Sequence, residues 1–194
     1  MTRFLLIRHG STDMLDIGIS GRAPGISLNV QGQREVERLV ERLATRSIAA
    51  LYVSPLERTR ETAAALERRF GLRAVEEPAF LELDFGEWTG QDFGSLHADP
   101  RWRDFNLFRC GTRIPDGELM LETQARSVSR LLELRDRHRE TTVAIVSHGD
   151  VIKVALLYFL GMPLDHHVRL DVAPASCSEL ELGRDWVRVL SISG

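Results

Sequence analysis

Short apolar segments alternate with amphipathic segments along most of this 194-residue chain. The apolar runs at 3–7, 49–53 and 142–147 have the length and composition of buried strands. Between the first two, apolar residues recur at helical spacing from Asn29 to Arg46. Strands that alternate with helices in this way are typical of a parallel sheet with helices on its faces. The sequence therefore predicts an α/β sandwich with a mostly parallel central sheet.

The second helix of this pattern is expected to begin at Ser54. A serine side chain can cap a helix, a proline such as Pro55 is favoured at the first helical position, and Glu57 completes a capping box. Further helices are predicted from about Glu118 to His138 and from Val151 to Leu160, on their apolar spacing.

One region departs from the alternation. Residues 86–117 contain clusters of Gly, Pro, Trp and Asp, and we expect them to form an irregular insertion that covers one face of the molecule. No repeat, low-complexity segment or linker divides the chain. Residues 1–194 are therefore predicted to form a single domain.

Composition excludes several classes of function. The net charge of −3 and the pI near 6.1 argue against a general nucleic-acid-binding protein. The two cysteines, Cys110 and Cys177, form no metal-binding spacing and cannot make a disulfide framework. No signal peptide is predicted, and no stretch approaches the roughly 18 apolar residues of a membrane span. We therefore expect a cytoplasmic protein that acts without a membrane.

Basic side chains follow two of the predicted strands, at the point where each strand ends. Arg8 and His9 come directly after the first strand, and His148 follows the strand at 142–147. Arg58 lies in the first turn of the helix after the second strand. Right-handed crossovers place the carboxyl ends of parallel strands at one edge of the sheet, so we expect these four side chains to meet there.

This set of residues suits phosphoryl transfer. Two arginines offer forked donors to phosphoryl oxygens. A histidine crowded by cations stays neutral and can attack phosphorus, while the second histidine can donate to a phosphoryl oxygen. Gly149 begins a helix whose N-terminal N–H groups favour an anion. A protonated Glu82, on an extended segment, could supply a proton to the departing alkoxide. These residues predict a phosphohistidine intermediate, with no metal or other cofactor.

Some assignments stay open at this stage. Asp84 and Glu87 lie close to Glu82 in sequence and compete with it for the role of acid. The pair His166-His167 lacks a third metal ligand in view, and a solvated loop is the better interpretation.

Four segments occur in an order that is known from one protein family. They read "LIRHGST", "SPLERTRETA", "LELDFGEWTG" and "IVSHGDV". In these segments the chain resembles the histidine phosphatase superfamily, also called the phosphoglycerate-mutase-like family. The resemblance implies a three-layer α/β/α sandwich, which agrees with the alternation of strands and helices.

The resemblance also implies roles for individual residues. His9 would be the nucleophile that becomes phosphorylated, and Glu82 would be the proton donor and then the acceptor. The phosphate pocket would be lined by Arg8, Arg58 and His148, and the substrate would be contacted by Ser20, Gly21 and Arg22.

The departures from the family pattern concern the substrate. Phosphoglycerate mutases tend to carry asparagine where this chain has Asp150, and also near the position of Leu15. We therefore expect a phosphatase acting on a small phosphorylated metabolite. A phosphoglycerate-type mutase and a regulatory module that removes phosphate from a protein are the alternatives. The oligomeric state is left open, with a homodimer as one arrangement.

Overall fold

The computed structural model describes all 194 residues and contains one six-stranded sheet. Its strands are β1 (Thr2–Arg8), β2 (Ala50–Val53), β3 (Ala74–Glu76), β4 (Thr142–Ser147), β5 (Cys177–Leu182) and β6 (Val187–Ser191). Their order in the sheet is β3-β2-β4-β1-β5-β6. The first four are mutually parallel, while β5 runs antiparallel to β1, and β6, at the edge, runs antiparallel to β5. The predicted, mostly parallel sheet is confirmed.

Helices cover both faces of this sheet. They are α1 (Val30–Leu43), α2 (Glu57–Phe70), α3 (Phe93–Ala98), α4 (Pro100–Leu107), α5 (Met120–Arg137) and α6 (Gly149–Phe159). Because side chains alternate along a strand, Phe4 and Leu6 of β1 pack against α5 and α6, and Leu5 and Ile7 pack against α1 and α2. The three-layer α/β/α sandwich is thereby confirmed. No helix combines the length and the apolar character needed to cross a membrane.

The start of α2 differs from its prediction. The helix begins at Glu57, with Leu56 as the capping residue, rather than at Ser54. The hydroxyl of Ser54 lies 2.8 Å from Nε2 of His148 and is therefore not used as a helix cap. The serine that reads as a capping residue in the sequence belongs instead to the cluster of histidines described below.

The segment 86–117 is also more ordered than predicted, because it contains α3 and α4. The side chain of Asp92 accepts a hydrogen bond from the backbone N–H of Ser95, and that of Asp99 accepts one from Arg101, both at 2.9 Å. These aspartates suggested irregular structure but act as helix caps. Buried aromatic side chains, among them Trp88 and Phe105, join this segment to α6 in a third apolar cluster.

Two glycines let α1 start against the turn that follows β1. A Cβ atom added to Gly10 would lie 2.6 Å from the carbonyl oxygen of Gly32, and one added to Gly32 would lie 2.1 Å from that of Ser11. Neither distance is possible without movement of the backbone. The close packing fixes the turn that carries His9.

Candidate active site

Three of the predicted residues meet at the carboxyl edge of the sheet. His9 follows β1, Arg58 lies in the first turn of α2, and His148 separates β4 from α6. Nε of Arg58 lies 3.2 Å from Nε2 of His9, and Nη2 of Arg58 lies 3.2 Å from Nδ1 of His148. The two imidazole rings pack edge to face, with their centroids 5.3 Å apart. The parallel topology thus brings residues from distant parts of the sequence into one cluster.

His9 has one ring nitrogen free of a proton. Its Nδ1 lies 2.7 Å from the carbonyl oxygen of Gly10, which only accepts, so Nδ1 carries the proton. Nε2 therefore has a lone pair, which accepts the hydrogen bond from Arg58. Burial, reinforced by the charge of Arg58, lowers the pKa of His9 to about 3. The ring is neutral near pH 7.

His148 is fully buried and holds the opposite tautomer. A guanidinium only donates, so Nδ1 of His148 accepts from Arg58, and Nε2 carries the proton toward the hydroxyl of Ser54. Burial, together with the charge of Arg58, holds the pKa of His148 well below its usual range.

Arg8 and Arg58 each have a buried N–H group that donates to no atom of the protein. Arg58 is only 1% exposed, and its Nη2 also donates to the carbonyl oxygen of Gly21 at 2.9 Å. Nη1 of Arg8 donates to the carbonyl oxygen of Val172 at 2.6 Å. Nη1 of Arg58 and Nε of Arg8 are buried without a partner in the protein. Buried charged donors of this kind are costly unless an anion accepts from them, which makes these two the best candidates for binding phosphate.

Glu82 lies beside the histidines, with Oε2 3.8 Å from Nδ1 of His148. Its Oε1 accepts a hydrogen bond from the backbone N–H of Leu83 at 2.9 Å. Burial raises the pKa of Glu82 to about 7, and the negative charge of Asp150 adds to the effect. A carboxyl group with this pKa can give up and take back a proton near neutrality.

The two competitors of Glu82 are engaged elsewhere. Asp84 pairs with Arg22 at 3.2 Å and accepts from the backbone N–H of Gly86. Glu87 pairs with Arg101 at 3.0 Å. Neither carboxylate lines the cavity beside His9, whereas Glu82 does.

Two arginines hold the backbone of Glu82 in place. Nε of Arg22 donates to the carbonyl oxygen of Glu82 at 2.8 Å, and Nη2 of Arg126 donates to the same oxygen at 3.1 Å. Both arginines also pair with Glu118, at 3.0 and 3.1 Å. Arg22, predicted to contact substrate, thus supports the acid from behind. Arg126 was missed because it reads as one more polar residue on an amphipathic helix.

A cavity of about 220 Å³ opens over these groups. Of the predicted site residues, it is lined by Arg8, His9, Ser20, Gly21, Arg58 and Glu82. His148, Gly149 and Arg22 are not among its lining residues. A Cβ atom on Gly149 would lie 3.3 Å from Nε of Arg8, so this glycine leaves room for the arginine.

Asp150 joins the cavity wall from the first turn of α6. Its Oδ1 lies 2.8 Å from Nε2 of His167, whose side chain is only 5% exposed. Burial acts most strongly and would raise the pKa of Asp150, but the interactions with His167, Arg109 and Lys153 together hold that pKa below its usual range. The expectation of a solvated loop at His166-His167 is therefore wrong for His167. No sequence pattern predicts the burial of His167, because its partner Asp150 lies on another element.

The family is established by comparison of the whole sequence. The profile of the histidine phosphatase superfamily (branch 1) matches residues 4–193, and the chain belongs to this superfamily. Its relatives include phosphatases and proteins described as probable phosphoglycerate mutases.

Individual relatives cover the chain from end to end. The bifunctional protein Rv2228c of Mycobacterium tuberculosis is 34% identical over 100% of this chain and 54% of its own length, so the chain spans about half of that relative. Phosphoserine phosphatase 1 of Hydrogenobacter thermophilus is 25% identical over 100% of this chain and 93% of its own. The structure of YhfR from Bacillus stearothermophilus has a TM-score of 0.91 at 26% identity, covering 98% of this chain and 96% of that one.

Proposed function

We propose that this chain is a phosphatase that hydrolyses a small phosphate monoester through a phosphohistidine at His9, without a metal ion. The observation that carries the proposal is the unprotonated Nε2 of His9, which lies 3.2 Å from Arg58 in the cavity that Glu82 also lines. Nucleophile, cation and proton donor are thus all supplied by protein side chains. The phosphatases among the relatives support the same class of reaction.

Substrate binding uses the donors that the protein leaves free. Two oxygens of the phosphate accept from Nη1 of Arg58 and Nε of Arg8, both buried without a partner. In the structure Nε of Arg58 donates to Nε2 of His9, and this bond breaks when the guanidinium turns to the phosphate. Binding the anion therefore releases the lone pair of the nucleophile.

In the first chemical step, the lone pair of His9 forms a bond to phosphorus as the bond from phosphorus to the ester oxygen breaks. Glu82, protonated below its pKa of about 7, gives its proton to the departing alkoxide. The negative charge on the phosphoryl oxygens is stabilised by Arg8 and Arg58.

In the second step, water attacks the phosphohistidine. Glu82, now a carboxylate, accepts a proton from that water as the bond between phosphorus and Nε2 breaks. The electron pair returns to His9, inorganic phosphate leaves, and the starting protonation states are restored. For His148 to donate to a phosphoryl oxygen, its proton must move to Nδ1, and the hydroxyl of Ser54 can then donate to Nε2.

The test compares His9→Ala with wild type on p-nitrophenyl phosphate, with samples quenched in alkaline denaturant, in which phosphohistidine is stable, and examined for it by mass spectrometry. His97→Ala is the matched control, because His97 is exposed and does not line the cavity. We expect His9→Ala to lose more than about 99% of the activity together with the phosphorylated species, and the control to keep both.

Two outcomes would contradict the proposal. The first is a His9→Ala protein that keeps most of its activity. The second is a wild-type enzyme that interconverts 2- and 3-phosphoglycerate in the presence of a bisphosphate primer faster than it releases phosphate, since this would identify a mutase.

A further inference from the structure

We propose that Asp150, positioned by His167, selects the leaving group of the ester: it favours a leaving group with a hydrogen-bond donor, an ammonium above all, and rejects one with a carboxylate. The inference rests on the phosphatase function above and narrows it to phosphate esters of amino alcohols and polyols.

The charges that line the cavity carry the first part of the argument. Its only cationic side chains are Arg8 and Arg58, and both hold the donors that the phosphate needs. The other ionisable carboxyl groups of the wall are Asp16, Asp150 and Glu82, of which Glu82 is protonated at the start of the reaction. A carboxylate on the leaving group would therefore meet like charge and find no cation of its own.

The setting of Asp150 carries the second part. The side chain stays 24% exposed and lines the cavity, while its Oδ1 rests against Nε2 of the buried His167 at 2.8 Å. The carboxylate thus contacts His167 on one side and faces the cavity on the other. A donor on the substrate can reach it without rearrangement of the protein, as effective recognition of a small ligand requires.

Asp150 also keeps its negative charge in this setting. His167, Arg109 and Lys153 together outweigh the effect of burial and hold the pKa of Asp150 below its usual range. Neither Arg109 nor Lys153 lines the cavity, so they stabilise Asp150 without offering a cation to the substrate. A charge-assisted hydrogen bond to a carboxylate is about twice as strong as a neutral one, so an ammonium gains more than a hydroxyl.

The position of Asp150 next to the catalytic cluster makes the contact specific to the leaving group. It lies two residues after His148, on the first turn of α6, and its charge raises the pKa of Glu82. Glu82, which protonates the leaving oxygen, and Asp150, which selects the rest of the leaving group, therefore line the same wall of the cavity.

The test uses two pairs of esters that differ in one group. O-phosphoethanolamine and propyl phosphate differ by an ammonium in place of a methyl group. Glycerol 3-phosphate and 3-phosphoglycerate differ by a hydroxymethyl group in place of a carboxylate. The readout is the ratio of kcat/KM within each pair, because a changed pKa of Glu82 alters both members alike. The variants are Asp150→Asn and, as a charge-matched control, Asp13→Asn, an exposed aspartate outside the cavity.

We expect wild type to prefer the first member of each pair by about tenfold or more, the size of one charge-assisted hydrogen bond. Asp150→Asn should reduce both ratios at least about fivefold, and Asp13→Asn should leave them unchanged. Wild-type ratios near one, or ratios that Asp150→Asn does not alter, would overturn the inference while phosphate release still upholds the phosphatase. Wild-type ratios near one would overturn the inference even if the variant does not fold. A wild-type protein that forms no phosphohistidine would instead refute the proposed function.

Discussion

The hydroxyl oxygen of Ser54 lies 2.8 Å from Nε2 of His148, and both residues are fully buried. This contact fixes the ring of His148, whose other nitrogen accepts from Arg58. Arg58 therefore sets the tautomer of His148, and one serine at the end of β2 accepts the remaining proton of a histidine at the end of β4.

Removing that hydroxyl should be costly. Ser54→Ala leaves the Nε2 proton of His148 buried without a partner, which we expect to lower the free energy of unfolding by about 1–3 kcal/mol. Urea denaturation measures this loss, and kcat should fall as well because the histidine is no longer held. Ser47→Ala, at an exposed site, is the control. Unchanged stability and activity would show that the contact is unimportant.

Glu82→Gln tests the proton donor through the leaving group. An alkyl phosphate needs a proton on its departing oxygen, whereas p-nitrophenol leaves readily without one. We expect kcat/KM to fall by about 10²–10⁴ for propyl phosphate and by much less for p-nitrophenyl phosphate. Asp84→Asn and Glu87→Gln, which alter the carboxylates engaged elsewhere, should show no such difference between the two esters. Equal losses on both esters for Glu82→Gln would remove it from the role of acid.

The pH dependence of kcat/KM follows from the same carboxyl group. In the proposed mechanism Glu82 is protonated at the start of the reaction, so activity should fall as the pH rises through about 7. Removal of the nearby charge in Asp150→Asn lowers the pKa of Glu82, and the alkaline limb should move to lower pH. Rate profiles of both proteins on propyl phosphate between about pH 4 and about pH 9 measure the shift. A limb that stays in place, or moves to higher pH, would contradict this assignment.

Gly10 and Gly32 should tolerate no side chain. A Cβ atom at either position would overlap a backbone oxygen, at 2.6 and 2.1 Å respectively. Gly71 serves as the comparison, since a Cβ there meets no atom and carries only the cost of its left-handed backbone, about 1–2 kcal/mol. We expect Gly10→Ala and Gly32→Ala to lower the free energy of unfolding by more than Gly71→Ala and to reduce activity, in thermal unfolding and phosphate-release assays. Full activity in Gly10→Ala would contradict the role of this packing.

The fold was largely predictable because its signal is local. Strand β4 has the predicted bounds of Thr142–Ser147, since an apolar run flanked by polar residues leaves few alternatives. The helices within residues 86–117 were missed because caps such as Asp92 resemble turn residues when no long apolar stripe follows. Short helices receive most of their stability from tertiary packing, which periodicity does not show.

The candidate site was predictable as a set of motifs but not as a network. The topology rule that brings strand ends together was enough to unite His9, Arg58 and His148. The residues that hold this cluster in place could not be predicted from the sequence. Ser54, for example, also fits a local interpretation as a helix cap. His167 carries no sequence pattern that connects it with Asp150, and only the folded chain places them 2.8 Å apart.

The hydrogen bond from Arg58 to Nε2 of His9 has a consequence for reagents other than substrates. A nitrogen whose electron pair already accepts a hydrogen bond reacts more slowly with neutral electrophiles than a free one does. In the proposed function, the nucleophilic nitrogen of His9 is therefore protected from alkylating and acylating reagents until a phosphate draws Arg58 away.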